Sequence, residues 1–229
     1  IPGIEIEGGR FLAGEIRERL LRSGTLLLNL MSSPGSGKTS LILRTIEALR
    51  EKYRLAVIEA DLDSTVDADK VAAVGIPAVQ LRTGGFCHVE AAMVKEALAS
   101  LDCARECAHL DLIVLENVGN LVCPAQSDTG AHASAVILSV PEGDDKPLKY
   151  PLAFAGSQVV VLNKIDYLGF EGFDVQAFRQ RVRRLNPLAP VLELSCRTGT
   201  GLEQWIGWLE ARLREAQMRG AAGAARGSP

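Results

Sequence analysis

The chain has 229 residues, of which 47% are hydrophobic and 23% are charged, and its net charge at neutral pH is −3. These proportions are typical of a soluble globular protein and exclude a disordered or low-complexity chain. Nucleic acid is not expected as a main partner, because no basic excess is available to neutralise phosphates. No apolar run reaches the roughly 18 residues that a membrane-spanning helix needs, and Glu5, Glu7 and Arg10 argue against a signal peptide.

The five cysteines are an odd number in a chain long enough to form a hydrophobic core. This count argues against a disulfide framework and is typical of a reducing compartment. We therefore expect a cytoplasmic protein with no membrane partner.

Short apolar runs alternate with helical periodicity along the chain. The predicted strands are 26–31, 55–59, 78–81, 110–116, 135–140, 159–162 and 191–194. The predicted helices are 10–22, 38–51, 67–74, 88–101, 174–185 and 201–217. Strands that are apolar on successive residues are typical of parallel sheets covered on both faces. The pattern predicts an α/β fold with a mostly parallel central sheet flanked by helices on both faces.

The segment LLLNLMSSPGSGKTS (26–40) joins an apolar strand to a helix through a glycine-rich turn. It matches the P-loop pattern except that Ser32 stands where the first glycine is expected. The predicted phosphate-binding residues are Gly35, Ser36, Gly37, Lys38, Thr39 and Ser40. Lys38 would reach the β- and γ-phosphates, and the Thr39 hydroxyl would ligate Mg²⁺. The alternative, a turn with a solvated lysine, is disfavoured because strand, loop and helix occur in the right order.

The sequence NKID, which follows the apolar run VVVL, indicates guanine recognition. The Asp166 carboxylate can accept hydrogen bonds from guanine N1–H and its amino group, whereas adenine presents a bare acceptor there. Asn163 can bond the base edge and brace the P-loop, and the Lys164 stem can lie across the base. Backbone N–H groups near Ser195 and Cys196 would contact the guanine oxygen. The alternative is a polar turn at a strand end.

Acidic residues follow two of the predicted strands, where loops of a parallel sheet gather around a ligand. The candidates are Glu59, Asp61, Asp63, Asp67, Asp69 and Glu116. We expect Asp61 and Glu116 to face Mg²⁺, directly or through water. Gly119 would donate its N–H to the γ-phosphate, so that ENVG senses triphosphate against diphosphate. Asp63 and Asp69 are expected to be solvated, and Asp67 is undecided.

Cys87 and His88 are adjacent before a predicted helix, and Cys123 follows ENVGNLV. Thiolate and imidazole together suit Zn²⁺, Ni²⁺ or Cu, but three ligands are one short of a closed tetrahedral site. A second subunit or an open position would complete it, and buried structural cysteines remain the alternative. Cys196 lies in the guanine-loop region and needs no metal, and His132 is expected to be solvated in its loop. Cys103 and Cys107, with His109 near, leave a second metal site open, but a surface insert with incidental cysteines is favoured.

The motifs SSPGSGKTS, GGFCH, ENVGNLVCP, SVPEGDDKPLKYP and VLNKID together resemble the HypB-type nickel-incorporation GTPases of hydrogenase maturation, over about residues 10–215. The sister urease-accessory GTPases carry a Cys-Pro-His motif, so the adjacent Cys87 and His88 favour the hydrogenase branch. The resemblance implies that Cys87, His88 and Cys123 bind Ni²⁺ or Zn²⁺ near a dimer interface. It also implies that GTP promotes a homodimer in which Lys149 reaches the partner's nucleotide, the alternative being a solvated lysine.

We therefore expect a GTPase that couples its nucleotide switch to nickel insertion into [NiFe]-hydrogenase, with GTP or GDP, Mg²⁺ and Ni²⁺ or Zn²⁺ bound. The resemblance implies a hydrogenase accessory metallochaperone and the hydrogenase large subunit as partners. No arginine finger or catalytic glutamine is evident, so turnover should be slow, on the order of 10⁻³ s⁻¹. No histidine-rich or N-terminal cysteine motif indicates nickel storage.

The expected domains are an N-terminal extension with a short helix (1–23), the GTPase domain with its metal site (24–217) and a flexible tail (218–229). Three alternatives remain open for the function. They are a urease-type nickel GTPase, a metal-sensing module with vestigial GTPase activity, and an ATP-dependent small-molecule kinase.

Overall fold

The computed structural model describes residues 2–61, 71, 73–103, 109–170 and 172–226. The strands are β1 (Leu26–Ser32), β2 (Leu55–Asp61), β3 (Ala78–Arg82), β4 (Leu112–Gly119), β5 (Ala133–Ser139), β6 (Val159–Asn163) and β7 (Val191–Glu193). The helices are α1 (Pro2–Arg22), α2 (Lys38–Leu49), α3 (Ala91–Cys103), α4 (Lys146–Lys149), α5 (Pro151–Gly156), α6 (Val175–Leu185) and α7 (Leu202–Arg226). Single 3₁₀ turns lie at Pro124–Gln126, Val140–Glu142 and Ile165–Tyr167. None of the helices in these ranges is long and apolar enough to cross a membrane.

The described strands form one sheet in the order β3-β2-β4-β1-β5-β6-β7, and every pairing in it is parallel. This arrangement confirms the predicted fold class. Because β1 is central, the P-loop that follows it lies at the middle of the carboxyl edge of the sheet. Strands β2, β4 and β6 end at the same edge, which is where ligands bind in such folds.

Successive residues of each strand face opposite sides of the sheet, so the strands bury both faces. On one side Leu26 and Leu28 of β1 pack with residues of α2 and α7. On the other side Leu27 packs with residues of α1 and α3. Helix α7 packs on the sheet through Trp205, which is 1% exposed and whose Nε1–H donates to Thr45 Oγ1 at 2.9 Å.

Several element boundaries differ from the prediction. Helix α1 begins at Pro2 instead of residue 10, and α7 ends at Arg226 instead of residue 217. Strand β4 begins and ends later than predicted, at Leu112 and Gly119. The predicted helix 67–74 lies mostly outside the described residues. The short helices α4 and α5 were not predicted. Pro147 and Pro151 stand in the first turns of these helices, where no backbone N–H is needed, so neither proline breaks its helix.

Candidate nucleotide and metal sites

The P-loop is held in shape by the loop that follows β6. Gly37 has a φ of 100°, and a Cβ at this position would lie 2.5 Å from Asn163 Nδ2, so only glycine fits. The Asn163 amide N–H donates to the Ser36 carbonyl oxygen at 2.9 Å, which is the brace expected from the sequence. The Lys164 ammonium donates to the Gly35 carbonyl oxygen at 2.8 Å. The NKID motif therefore contacts two successive carbonyls of the phosphate loop.

Ser32 has a contact that the sequence did not indicate. The residue ends β1, is fully buried, and its hydroxyl oxygen accepts a hydrogen bond from Lys38 Nζ at 2.9 Å. The same hydroxyl donates to the Ser33 carbonyl oxygen at 2.7 Å. Glycine at this position could not hold the Lys38 ammonium in this way.

The predicted magnesium residues Thr39 and Glu116 lie together. The Thr39 hydroxyl donates to Glu116 Oε1 at 3.1 Å, and Glu116 is only 5% exposed. Oxygen donors of this kind are the ligands that Mg²⁺ prefers, so the pair fits a magnesium site beside the P-loop. Asp61 is the last residue of β2 at the same edge of the sheet, whereas Asp63, Asp67 and Asp69 lie outside the described residues.

Gly119 ends β4 directly against the phosphate loop. A Cβ on Gly119 would lie 3.1 Å from Pro34 Cγ, so the two segments touch through backbone and ring. The segment that begins with Glu116 therefore passes along the P-loop before it continues to Asn120 and Cys123.

Asp166, the residue predicted to select guanine, has a hydrogen bond to only one of its two carboxylate oxygens. Its Oδ1 accepts a hydrogen bond from Ser195 Oγ at 2.6 Å. Its Oδ2 is shielded from solvent and accepts no hydrogen bond from any described residue, with Arg197 Nη1 at 3.6 Å. A buried carboxylate oxygen without a donor is costly, and a ligand with N–H groups would satisfy it.

The loop after β7 differs in one detail from the sequence expectation. The Cys196 backbone N–H, expected to face the guanine oxygen, donates to Asn163 Oδ1 at 3.2 Å. Arg44, which sequence analysis missed, donates from Nε to the Cys196 carbonyl oxygen at 2.9 Å and holds this loop against α2. Burial raises the pKa of the Cys196 thiol to about 11, so this sulfur stays protonated and is a poor metal ligand at neutral pH.

The three predicted metal ligands come together on two loops. The Cys87 and Cys123 Sγ atoms lie 2.7 Å apart, and His88 Nδ1 lies 3.9 Å from Cys87 Sγ. All three ligand atoms lie within 4.8 Å of one another, and no other such group of three occurs in the described ranges. The hydrogen bond that the Cys87 thiol donates to Cys123 Sγ raises the pKa of Cys87, so a metal would have to displace the proton that lies between the two sulfurs.

Three side chains that support these ligands were missed by sequence analysis. Glu90 Oε1 lies 3.4 Å from His88 Nε2, on the side of the ring opposite to the nitrogen that faces the sulfurs. The Asn120 amide donates to the Cys87 carbonyl oxygen at 3.4 Å, and the Ser127 hydroxyl donates to the Val89 carbonyl oxygen at 2.8 Å. A carboxylate behind a histidine and polar contacts around a ligand loop are typical of metal sites.

His132 is not solvated as predicted. Its Nδ1 accepts a hydrogen bond from the Leu27 backbone N–H at 3.0 Å, and its Nε2 lies 3.0 Å from the Arg17 carbonyl oxygen. The ring therefore joins α1 to β1 in its neutral form, with the proton on Nε2. Burial lowers the pKa of His132, and the nearby charges of Arg17 and Arg219 act in the same direction.

The remaining candidates are Lys149, His109, Cys103 and Cys107. Lys149 is exposed and pairs with Asp145 at 2.6 Å, and this contact raises the pKa of the lysine and lowers that of the aspartate. His109 is also exposed and lies 3.6 Å from Asp111. Cys103 is the last residue of α3, and Cys107 lies outside the described residues.

The fold, the P-loop and the NKID loop define a P-loop NTPase. Residues 26–193 match the family model described as the CobW/HypB/UreG nucleotide-binding domain. The chain is 48% identical to the hydrogenase maturation factor HypB of Azotobacter vinelandii over 90% of this chain and 67% of the relative. It is 38% identical to the hydrogenase/urease maturation factor HypB of Helicobacter pylori over 89% of this chain and 83% of the relative.

Solved structures agree with these relatives. The crystal structure of HypB from Helicobacter pylori in complex with nickel superposes with a TM-score of 0.85 at 38% identity, covering 91% of this chain and 96% of that one. HypB from Archaeoglobus fulgidus superposes with a TM-score of 0.83 at 36% identity, covering 90% and 99%. The chain therefore belongs to the CobW/HypB/UreG family and, within it, to the HypB hydrogenase maturation factors. It spans about two thirds of the length of the Azotobacter relatives.

Proposed function

We propose that this protein hydrolyses GTP and uses its nucleotide state to control the insertion of nickel during [NiFe]-hydrogenase maturation. The observation that carries the proposal is the segment from Glu116 to Cys123. At one end Glu116 accepts a hydrogen bond from Thr39 of the P-loop, and at the other end Cys123 contacts Cys87. A nucleotide-dependent movement of this segment would reach a metal ligand within a few residues.

The choice of GTP over ATP rests on Asp166. Ser195 occupies one carboxylate oxygen, and the other is buried without a hydrogen bond from a described residue. Guanine offers N1–H and an amino group to such an oxygen, whereas adenine offers an acceptor that would repel it. An ATP-dependent kinase is therefore disfavoured.

Hydrolysis would proceed by attack of water on the γ-phosphoryl group, to give GDP and phosphate. Lys38 and the backbone N–H groups of residues 35–40 would bind and orient the phosphates, and Thr39, Asp61 and Glu116 would hold Mg²⁺. Bound Mg²⁺ supplies positive charge to the phosphate oxygens. With no arginine finger or catalytic glutamine evident in the sequence, we propose a slow intrinsic turnover, on the order of 10⁻³ s⁻¹.

The metal cargo would bind at Cys87, His88 and Cys123. Two thiolates and an imidazole suit Ni²⁺ and also Zn²⁺, and three ligands leave a coordination position for exchange or for a ligand from a second copy. We propose that GTP promotes a homodimer in which Lys149 leaves Asp145 and reaches the partner's nucleotide. The acceptor of the metal would be a hydrogenase accessory metallochaperone or the hydrogenase large subunit, in the cytoplasm.

The proposal is tested by loading the protein with Ni²⁺ and following the release of the metal to a chromophoric chelator. Release should change when GTP is added and should differ from that with a non-hydrolysable GTP analogue, with particle size measured in parallel for the dimer. ATP at equal concentration should have no effect. If release is the same with no nucleotide, with GTP and with the analogue, the result would favour the alternative of a metal-binding module with a vestigial GTPase.

Urease maturation is the second candidate, because the Helicobacter relative is named a hydrogenase/urease maturation factor. Co-purification with urease accessory proteins instead of hydrogenase accessory proteins would favour it. Recovery of both sets would indicate one nickel GTPase that serves two enzymes.

A further inference from the structure

The ligands of the candidate metal site stand on two separate loops. The first metal loop, residues 86–90, carries Cys87 and His88, and the second metal loop, residues 120–127, carries Cys123. Cys87 and Cys123 are 36 positions apart in sequence, so the distance between their sulfurs depends on how the two loops are held together. A change in that relative position would make or break the metal site.

Two hydrogen bonds from side chains to backbone join the loops. The Ser127 hydroxyl donates to the carbonyl oxygen of Val89, which is fully buried, at 2.8 Å. The Asn120 amide donates to the Cys87 carbonyl oxygen at 3.4 Å. The two contacts are of the same kind, but they lie at opposite ends of the second metal loop.

The orientation of the Asn120 amide is determined by its second contact. Its Oδ1 accepts the Val122 backbone N–H at 2.8 Å, so the NH₂ group must point to the other side, where the Cys87 carbonyl lies. One amide group therefore holds the backbone of Cys87 and the residue that precedes Cys123.

Only one of the two joining residues also contacts the phosphate loop. The Asn120 backbone forms a β-bridge with Ser32, whose hydroxyl receives the Lys38 ammonium. The preceding residue, Gly119, lies against Pro34. Among the contacts that the structure describes, Ser127 has none with the P-loop. Its loop continues towards α1, where Asp128 pairs with Arg17 at 2.6 Å.

We propose that Asn120 is the positioning residue that couples the phosphate loop to the metal ligands. Because its backbone is bridged to Ser32, Asn120 would move when the P-loop moves. Its side chain would transmit this movement to the Cys87 carbonyl. The inference rests on the proposed function, because it names the residue through which the nucleotide would act on the metal. It assigns no metal ligand and no catalytic step to Asn120.

Such coupling is a free energy between two sites and must be reciprocal. If the triphosphate changes the affinity for Ni²⁺ by a given factor, Ni²⁺ must change the affinity for the triphosphate by the same factor. Typical coupling factors lie between about 5-fold and 150-fold. A residue that only stabilises the metal loops would change the affinity in both nucleotide states alike and leave this factor unchanged.

The test compares Asn120→Ala with Ser127→Ala, the matched control that also loses a hydrogen bond between the loops. The Kd for Ni²⁺ is measured by competition with a chelating indicator, once with GDP and once with a non-hydrolysable GTP analogue. We expect Ser127→Ala to weaken binding in both states by about 2- to 10-fold and to keep the wild-type ratio of the two Kd values. Asn120→Ala should bring that ratio to within about twofold of one.

Asn120→Asp is a second variant, which keeps the test valid if Asn120→Ala does not fold. It keeps an oxygen for the Val122 N–H but places a second oxygen against the Cys87 carbonyl, so it should also lose the coupling. The reciprocal measurement, the Kd of the GTP analogue with and without Ni²⁺, should show the same loss in both Asn120 variants.

Three outcomes are decisive. A wild-type ratio in the folded Asn120 variants would overturn the inference, and so would an equal loss of coupling in Ser127→Ala. If the wild-type protein itself shows the same Kd for Ni²⁺ in both nucleotide states, the proposed nucleotide control fails, and the role of Asn120 fails with it. The wild-type measurement thus separates the failure of the function from the failure of the residue assignment.

Discussion

The nucleotide site and the metal site are built in different ways. The groups that shape the nucleotide site are buried: Ser195 is inaccessible to solvent, and Asn163 and Glu116 are 2% and 5% exposed. At the metal site Cys87 is exposed and Cys123 is half-buried. The first site is a closed network of hydrogen bonds, whereas the second consists of two surface loops joined by a few side chains.

This difference has a chemical consequence. A buried polar network that leaves one carboxylate oxygen of Asp166 for a ligand can discriminate one base from another, because a wrong base leaves polar groups unpaired. An accessible site with three ligands keeps a position open, through which a metal can be exchanged with another protein. The two sites thus suit a ligand that must be selected and a cargo that must be released.

The largest effect is expected from a change at the P-loop. Lys38→Ala should lower kcat/KM for GTP hydrolysis by about 10²- to 10³-fold, because it removes a positioned cation from the developing charge on the phosphates. Phosphate release in the steady state measures it. Lys52→Ala is the control, since this exposed lysine pairs only with Glu210 at 3.2 Å among the contacts described. Unchanged hydrolysis in Lys38→Ala would show that the P-loop is not the catalytic site.

Guanine selection should respond to Asp166→Asn. Replacing the charged acceptor by an amide should weaken GTP binding by about 10²-fold, since hydrogen bonds to charged groups contribute about 1.5–3 kcal/mol each. The amide is complementary to xanthine, so binding of xanthosine triphosphate should improve. Competition of both nucleotides against a fluorescent GDP analogue measures the change, and an unaltered preference would mean that Asp166 does not contact the base.

Replacing a residue that contacts a metal ligand should weaken Ni²⁺ binding less than removing the ligand itself. Glu90→Gln replaces the carboxylate that faces His88 Nε2 and should lower Ni²⁺ affinity by about 10- to 100-fold while leaving the stoichiometry intact. His88→Ala should lower the stoichiometry itself. Cys196→Ala is the control, because its buried thiol has a pKa of about 11 and should not bind metal. Equal affinities in wild type and Glu90→Gln would mean that the carboxylate does not orient the imidazole.

The smallest effect is expected outside both sites, at His132. Burial lowers the pKa of His132, so the unfolded chain takes up a proton more readily than the folded one. The contribution of His132 to stability is therefore complete above its ordinary pKa near 6.5 and declines as the pH falls towards the lowered folded value. Protonation of Nδ1 also removes the acceptor of the Leu27 N–H, which should cost about 1–3 kcal/mol.

Urea unfolding at pH 7.5 and pH 5.5 measures this dependence. His132→Gln, whose amide does not titrate, should show a flatter pH profile than the wild type. The profiles of the two proteins would coincide if other groups dominate the acid response.

The fold class could be predicted from the amino-acid sequence alone, and so could those parts of the nucleotide site that are contiguous in the chain. The P-loop and NKID are short motifs that follow apolar strands, and each needs only a few adjacent residues to define its chemistry. The runs of successive apolar residues and the helical periodicity between them are likewise local features, so the parallel sheet was predicted correctly. Cys87, His88 and Cys123 were predicted as a group only with the help of a family resemblance, since spacing alone left buried cysteines as an alternative.

Only the tertiary structure decided which side chains support these motifs. Ser32 receives the Lys38 ammonium, Arg44 holds a loop 152 positions away, and His132 joins α1 to β1 instead of facing solvent. Asn120 contacts Cys87 across 33 positions, and no pattern in the chain marks that pairing. Contacts of this kind depend on where the packed sheet brings distant loops together, and local sequence carries no signal for that distance.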